Sequence, residues 1–216
     1  MMRRSFALSS AVLLAAAGSA FAQDASSLDS GRAMLRPSTT KQAEIGVGIG
    51  VGPSYLGSGK RSWAAGPYAE ATFGNGVFLS TVDGIGYRFL EDPSGFSMAA
   101  SIGPSMMRRE KDGEDGNTNR LKGMGDVNVR PQANLFLNYD KNAFHSTVAL
   151  HQTLGSRHGT ELEVEGSYDL LADRENLVRA TAGFAYANRD LMQTFFGVTS
   201  AQSASSGNPV YTPGAG

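Results

Sequence analysis

The sequence predicts an all-β fold, an antiparallel up-and-down barrel of the outer-membrane type. Three observations carry that expectation. After residue 43 the chain alternates apolar and polar residues, mostly in segments close to the ~9–11 residues that a tilted membrane strand needs. Beyond the first 22 residues, no apolar run approaches the ~20 residues of a spanning helix. A chain of this kind enters a bilayer only as a barrel, because only helices and closed barrels satisfy their backbone in lipid.

The N-terminus reads as an export leader. Arg3 and Arg4 precede the apolar stretch Phe6 to Ala17, and Ala20-Phe21-Ala22 offers a small-x-small cleavage site before Gln23. Residues 1–22 are expected to be a bacterial signal peptide, and no cysteine stands at the cleavage site to mark a lipoprotein. Residues 23–43 are polar and without periodicity, as in a flexible arm, and residues 44–216 read as the barrel domain. The absence of cysteine excludes a disulfide framework, and a formal net charge of −1 gives no electrostatic case for nucleic acid.

The first strand raises a choice. In "EIGVGIGVGPSYLGS", Gly46, Gly48, Gly50 and Gly52 could cradle a phosphate or form one face of a strand. A phosphate-binding fingerprint needs G-x-G-x-x-G leading into a helix. Here the glycines alternate with Ile45, Val47, Ile49 and Val51 and then meet Pro53. The strand reading follows, with the apolar face toward lipid and the glycine face toward the lumen.

The remaining segments read in order. Glu44–Val51, Trp63–Phe73, Val77–Leu90 and Phe96–Met107 are strand-like. "DVNVRPQANLFLNYD" sets Val127, Val129, Ala133, Leu135, Leu137 and Tyr139 against Asn128, Arg130, Gln132, Asn134 and Asn138, with Pro131 interrupting the ladder. "AFHSTVALHQTL" sets Phe144, Val148, Leu150 and Leu154 against His145, Thr147 and His151. "TELEVEGSYDLL" sets Leu162, Val164, Gly166, Tyr168 and Leu170 against Glu161, Glu163, Glu165, Ser167 and Asp169. "LVRATAGFAYAN" sets Val178, Ala180, Ala182, Phe184 and Tyr186 against Arg179, Thr181, Gly183 and Ala185. That makes about eight strands. Turn signals at "GNG", "EDPSG", "YDKNA", "GSRHG" and "ADREN" separate them. Tyr68, Phe73, Phe89, Tyr139, Phe144, Tyr168 and Tyr186 fall toward strand ends, as in an interfacial girdle. No helix-period segment of useful length follows the leader. With a periplasmic N-terminus, this strand count puts the long connections after Met107 and Asn188 at the periplasmic end. Outer-membrane barrels usually keep long loops outside, so either the count is off by one or those segments face the periplasm.

Four stretches carry a family resemblance: "GVGIGVGPSYLGS", "LSTVDGIGYRFLED", "RLKGMGDVNV" and, most specifically, "MQTFFGVTSAQSASSGNPVYTPGAG". Together they resemble the MipA/OmpV family of Gram-negative outer-membrane proteins, also called MltA-interacting protein, over Glu44 to Gly216. The resemblance implies a barrel of about twelve strands ending in an aromatic residue. Since this chain ends at Gly214-Ala215-Gly216, it is expected to be a C-terminally truncated member. It further implies an outer-membrane protein that scaffolds murein machinery, linking a lytic transglycosylase to a murein synthase by surface docking, with outer-membrane lipid as its other partner.

The residues themselves offer little chemistry. Glu161, Glu163 and Glu165 form an acidic stripe that Arg130, Arg179 and Arg88 could face across the lumen, either as a selectivity surface or as mutual charge compensation in a filled barrel. His145 and His151 share a face but lie roughly 20 Å apart at ~3.3 Å per residue, too far for one metal. His158 follows in the next turn. His145 and Ser146 point to opposite faces and cannot share a proton within one regular strand. "RREKDGEDGNTNR" reads as a solvated loop without EF-hand spacing. Asp190–Tyr211 is long for a loop, and Met192, Phe195, Phe196 and Tyr211 make it a candidate partner-binding segment that folds against the barrel or a partner. No catalytic, cofactor-binding or metal residues are assigned. The expected function is a non-enzymatic outer-membrane scaffold. The alternatives are a small-solute channel, an outer-membrane hydrolase using His145 or His151, and a soluble ligand-binding barrel, against which the apolar face from Val127 to Tyr139 argues.

Overall fold

The computed structural model describes residues 38–39, 41–155, 159–172 and 177–216. The expected leader, most of the expected arm and His158 lie outside these residues. Nine strands form one sheet in consecutive order, every neighbouring pair antiparallel. They are β1 (Lys41–Pro53), β2 (Arg61–Phe73), β3 (Val77–Ser80), β4 (Gly84–Glu91), β5 (Phe96–Pro104), β8 (Pro131–Lys141), β9 (Phe144–Thr153), β10 (Thr160–Ala172) and β11 (Leu177–Ala187). A minor hairpin, β6 (Glu114–Asp115) and β7 (Thr118–Asn119), lies in the connection between β5 and β8. The result is a barrel-like up-and-down sheet that does not close: among the described residues, β1 and β11 are its two edge strands.

Several boundaries differ from the sequence expectation. The first strand starts at Lys41, so the arm does not reach residue 43. Val77–Leu90 is a hairpin rather than one strand. Ser80 Oγ accepts from the N–H groups of Val82 and Asp83 at 3.2 and 3.0 Å, which turns the chain. Gly84 then takes a left-handed φ of +81°, where a Cβ would strike the Ile102 carbonyl oxygen. Among the described residues the main sheet therefore has nine strands rather than eight. Pro131 opens β8 instead of interrupting it, the position where a residue without an N–H costs least. Two short helices, unexpected from periodicity, follow β11: α1 (Arg189–Phe196) and α2 (Ser200–Ser206).

The two faces have opposite character. Ile45, Val47, Trp63, Ile102, Leu135, Leu150, Val178 and Phe184 stand on the outer face, and Ile45 and Trp63 are 89% and 75% exposed. Phe96, Tyr139 and Phe144 adjoin there, with ring centroids 4.5 and 6.3 Å apart, near the ends of strands joined by short turns. The inner face carries Glu70, Ser80, Ser97, Ser101, Asn134, Asn138 and Ser167, all buried, around a small apolar centre of Phe78, Ala99, Phe136 and Ala149. Tyr68 is a correction. It pairs with Gly46 and shares the inner face with Glu70, so it does not belong to an outer girdle.

Phe78 lies over Gly86, its cross-strand partner. A Cβ at Gly86 would collide with the Phe78 ring and stand 2.7 Å from the Ala100 carbonyl oxygen. Gly86→Ala is expected to destabilise the sheet by about 1–3 kcal/mol, and Phe78→Leu in the same chain should recover part of that loss in a urea-unfolding double-mutant cycle.

Candidate functional site

Cross-strand pairing arranges the inner face of β5 and β8–β11 in layers. Ser101, Asn134, His151 and Glu161 occupy one layer, Ala99, Phe136, Ala149 and Glu163 the next, and Ser97, Asn138, Thr147 and Glu165 a third. Each predicted glutamate thus holds the β10 position of one layer, which continues on β11 to Ala187, Ala185 and Gly183 respectively. Asn134 Nδ2 donates to Ser101 Oγ at 3.0 Å, and Asn134 Oδ1 lies 2.8 Å from His151 Nδ1. His151 Nε2 is 3.5 Å from Glu163, and its ring meets Phe136 edge-on at 5.9 Å. Thr147 Oγ1 donates to Asn138 Oδ1 at 3.0 Å.

A charged network closes the short-turn end of the same face. His145 Nδ1 lies 2.7 Å from Asp140 Oδ1, and its Nε2 lies 3.1 Å from Asp169 Oδ2. Arg179 grips Asp169 with both Nε and Nη2, the latter at 3.0 Å, a forked pairing that fits guanidinium to carboxylate. Asp140, His145, Asp169 and Arg179 come from β8, β9, β10 and β11 respectively. Arg179 is therefore spent on Asp169 rather than facing the glutamate stripe. His145 and Ser146 do fall on opposite faces, since Ser146 pairs with Tyr139 and Gly166 of the outer belt.

The other end is capped. Three connections converge there: residues 54–60, residues 105–130 and the segment from Asn188 onward. Asn188 caps α1 by accepting from Leu191 N–H at 2.9 Å. Thr199 and Gln202 form a capping box on α2. Gln202 Nε2 donates to the Met124 carbonyl at 2.7 Å, and Gly123 lies so close to the backbone of Ser205 and Ser206 that a Cβ would stand 2.6 Å from it. Arg108, 3% exposed, exchanges backbone hydrogen bonds with Val127 and donates from Nη1 to the Phe195 carbonyl at the C-terminal end of α1. Burial pushes the Arg108 guanidinium below its ordinary range, partly offset by Asp126 and Tyr55. Arg130 stands at the mouth beneath this cap. It lines a cavity of about 100 Å³ with Gln132, Thr153, Leu191, Thr194 and Phe195.

Phe195 is buried in the cap and unavailable to a partner, whereas Phe196 and Tyr211 are 38% and 55% exposed. Asp140 and Arg108 were not singled out from the sequence. Asp140 stands in the alternating run of β8, whose parity puts it with Asn134 and Asn138 on the inner face. Nothing in "RREKDGEDGNTNR" marks its first arginine as buried.

An apolar outer belt, a polar layered interior and a consecutive antiparallel meander define the wall of a membrane-type β-barrel. Residues 45–216 match the family described as MltA-interacting protein MipA. The chain belongs to that family, whose name states an interaction with MltA, a lytic transglycosylase. Neither the curated proteins nor the solved structures gave a match.

Hydrogen bonds to charged groups contribute about 1.5–3 kcal/mol. Arg108→Ala should accordingly speed protease cleavage within α1 and α2 roughly 10–100-fold, while the strands stay protected in hydrogen exchange.

Proposed function

We propose that the chain forms the wall of an outer-membrane β-barrel that acts without catalysis, as a docking scaffold between a murein hydrolase and a murein synthase. Family membership over residues 45–216 supports the scaffold role, since the family name states an interaction with MltA. The inside-out sheet supports the membrane setting. Nine strands put the start of β1 at the end with the short turns Gly74–Gly76, Asp92–Gly95 and Asn142–Ala143, and put the cap at the opposite end. Outer-membrane barrels keep short turns on the periplasmic side. The murein partners therefore dock at the short-turn end, and Met192–Tyr211 serves as part of an outward-facing cap rather than as their landing site. The buried Phe78–Phe136 centre fills the concave face between β3 and β9, which ranks a solute channel second.

Two experiments test this reading. Leu135→Arg places a charge in the outer belt and is expected to cost about 2–4 kcal/mol of insertion in a bilayer, read as lost heat-modifiable gel migration and lost resistance to urea extraction from membranes. A lytic transglycosylase should co-purify with the wild-type chain and with a variant whose cap residues 199–207 are replaced by a Gly/Ser linker. Loss of the partner on changing the cap alone would place docking at the wrong end.

A further inference from the structure

His145 joins two hairpins. Asp140 and His145 flank the β8–β9 turn, and Asp169 and Arg179 flank the β10–β11 turn. The imidazole lies between their two carboxylates, with an oxygen of Asp140 at 2.7 Å from Nδ1 and one of Asp169 at 3.1 Å from Nε2. A carboxylate only accepts hydrogen bonds when ionised, and a neutral imidazole carries a single N–H. Both contacts are hydrogen bonds only when the ring carries two. With one proton gone, one nitrogen turns its lone pair toward a carboxylate.

We infer that His145 is a proton-operated lock between the two short-turn hairpins, complete while the ring is doubly protonated and half-released when it is neutral. The charges around it are consistent with such a lock. Asp140 comes from β8, and Asp169 from β10 is already neutralised by Arg179 from β11. Arg88 on β4 lies within electrostatic reach of Asp140 and Glu91. The ring itself is three-quarters buried, which limits screening by solvent. Direction follows from the bonding: the folded chain makes two charge-assisted bonds with the protonated ring and one with the neutral ring, so the lock is complete at acid pH and half-released as pH rises. Histidine is the side chain whose charge ordinarily changes between pH 5 and 8. The lock rests on the sheet alone and holds whether or not the murein partners are those proposed above.

The test uses the full folded chain in detergent micelles, with thermal midpoints followed by far-UV circular dichroism at several pH values from 5 to 8. The wild-type midpoint is expected to fall by roughly 3–6 °C across that range. His145→Gln, whose amide keeps the same donors and acceptor at every pH, should lose most of that slope. Asp140→Asn should flatten or reverse it, because an amide can donate to the neutral ring. Asp140 is the more exposed partner, so this variant reports even where His145→Gln folds poorly. Nitrogen-15 NMR of the wild type should show both His145 nitrogens protonated at pH 5. A wild-type midpoint that is flat in pH overturns the lock. So does a slope that survives in His145→Gln and Asp140→Asn, or one that disappears instead in His151→Gln.

Discussion

Register is the constraint on which the rest of this molecule depends. Side chains alternate strictly across a sheet, so one ladder step decides whether Asn134, Asn138 and Glu165 lie inside or among Leu135 and Leu137 outside. A slip of one residue at any seam would bury Ile and Leu against the polar layers and turn asparagines toward the apolar belt. Two kinds of contact hold the register. Cross-strand polar pairs such as Asn134 with Ser101 and Thr147 with Asn138 lock neighbouring strands on the inner face. Glycines allow the tightest approaches, as where Phe78 lies over Gly86.

How far the sequence reveals this arrangement depends on how far each effect is local. β8 to β11 are legible because each carries a clean alternation of residue type, which in β8 becomes an alternation of burial. The hairpin of β3 and β4 hides inside one apolar run. Its signal is the pair Asp83-Gly84, a hairpin dipeptide that a continuous period-two reading overrides. α1 and α2 span eight and seven residues, too short for a helical period to register, although Asn188 and the Thr199–Gln202 box announce their starts. Arg108 is the hardest to read. It sits at the head of a charged run that looks solvated, and its guanidinium is held by a group distant in sequence, the Phe195 carbonyl at a separation of 87.

The two ends of the sheet differ in kind. One end is built of tight turns in which backbone geometry does most of the work, with Asn142 and Gly95 in left-handed conformations. Its charged side chains bond to one another in a chain from Asp140 to Arg179. The other end is built of long connections that find one another, with Met124, Phe195 and Leu121 buried among them. Such a cap tolerates sequence change in its exposed parts far better than the tight turns do, since its order rests on a few anchors rather than on every residue. A family whose members share the wall and differ in the loops would diversify at this end first.

The small turn at residues 81–83 has a consequence for topology. By splitting one strand into two it makes the number of strands in the main sheet odd, and β1 and β11 consequently run in the same direction. Joined directly, those two edges would meet in a parallel seam, with slanted hydrogen bonds unlike those of the other eight interfaces. An antiparallel circuit through this wall requires an odd number of strands between β11 and β1. At the top of β11, Gly216 already exchanges both of its backbone hydrogen bonds with Ala187, in the reciprocal pattern of an antiparallel neighbour. Three residues of turn thus set the parity of the whole sheet.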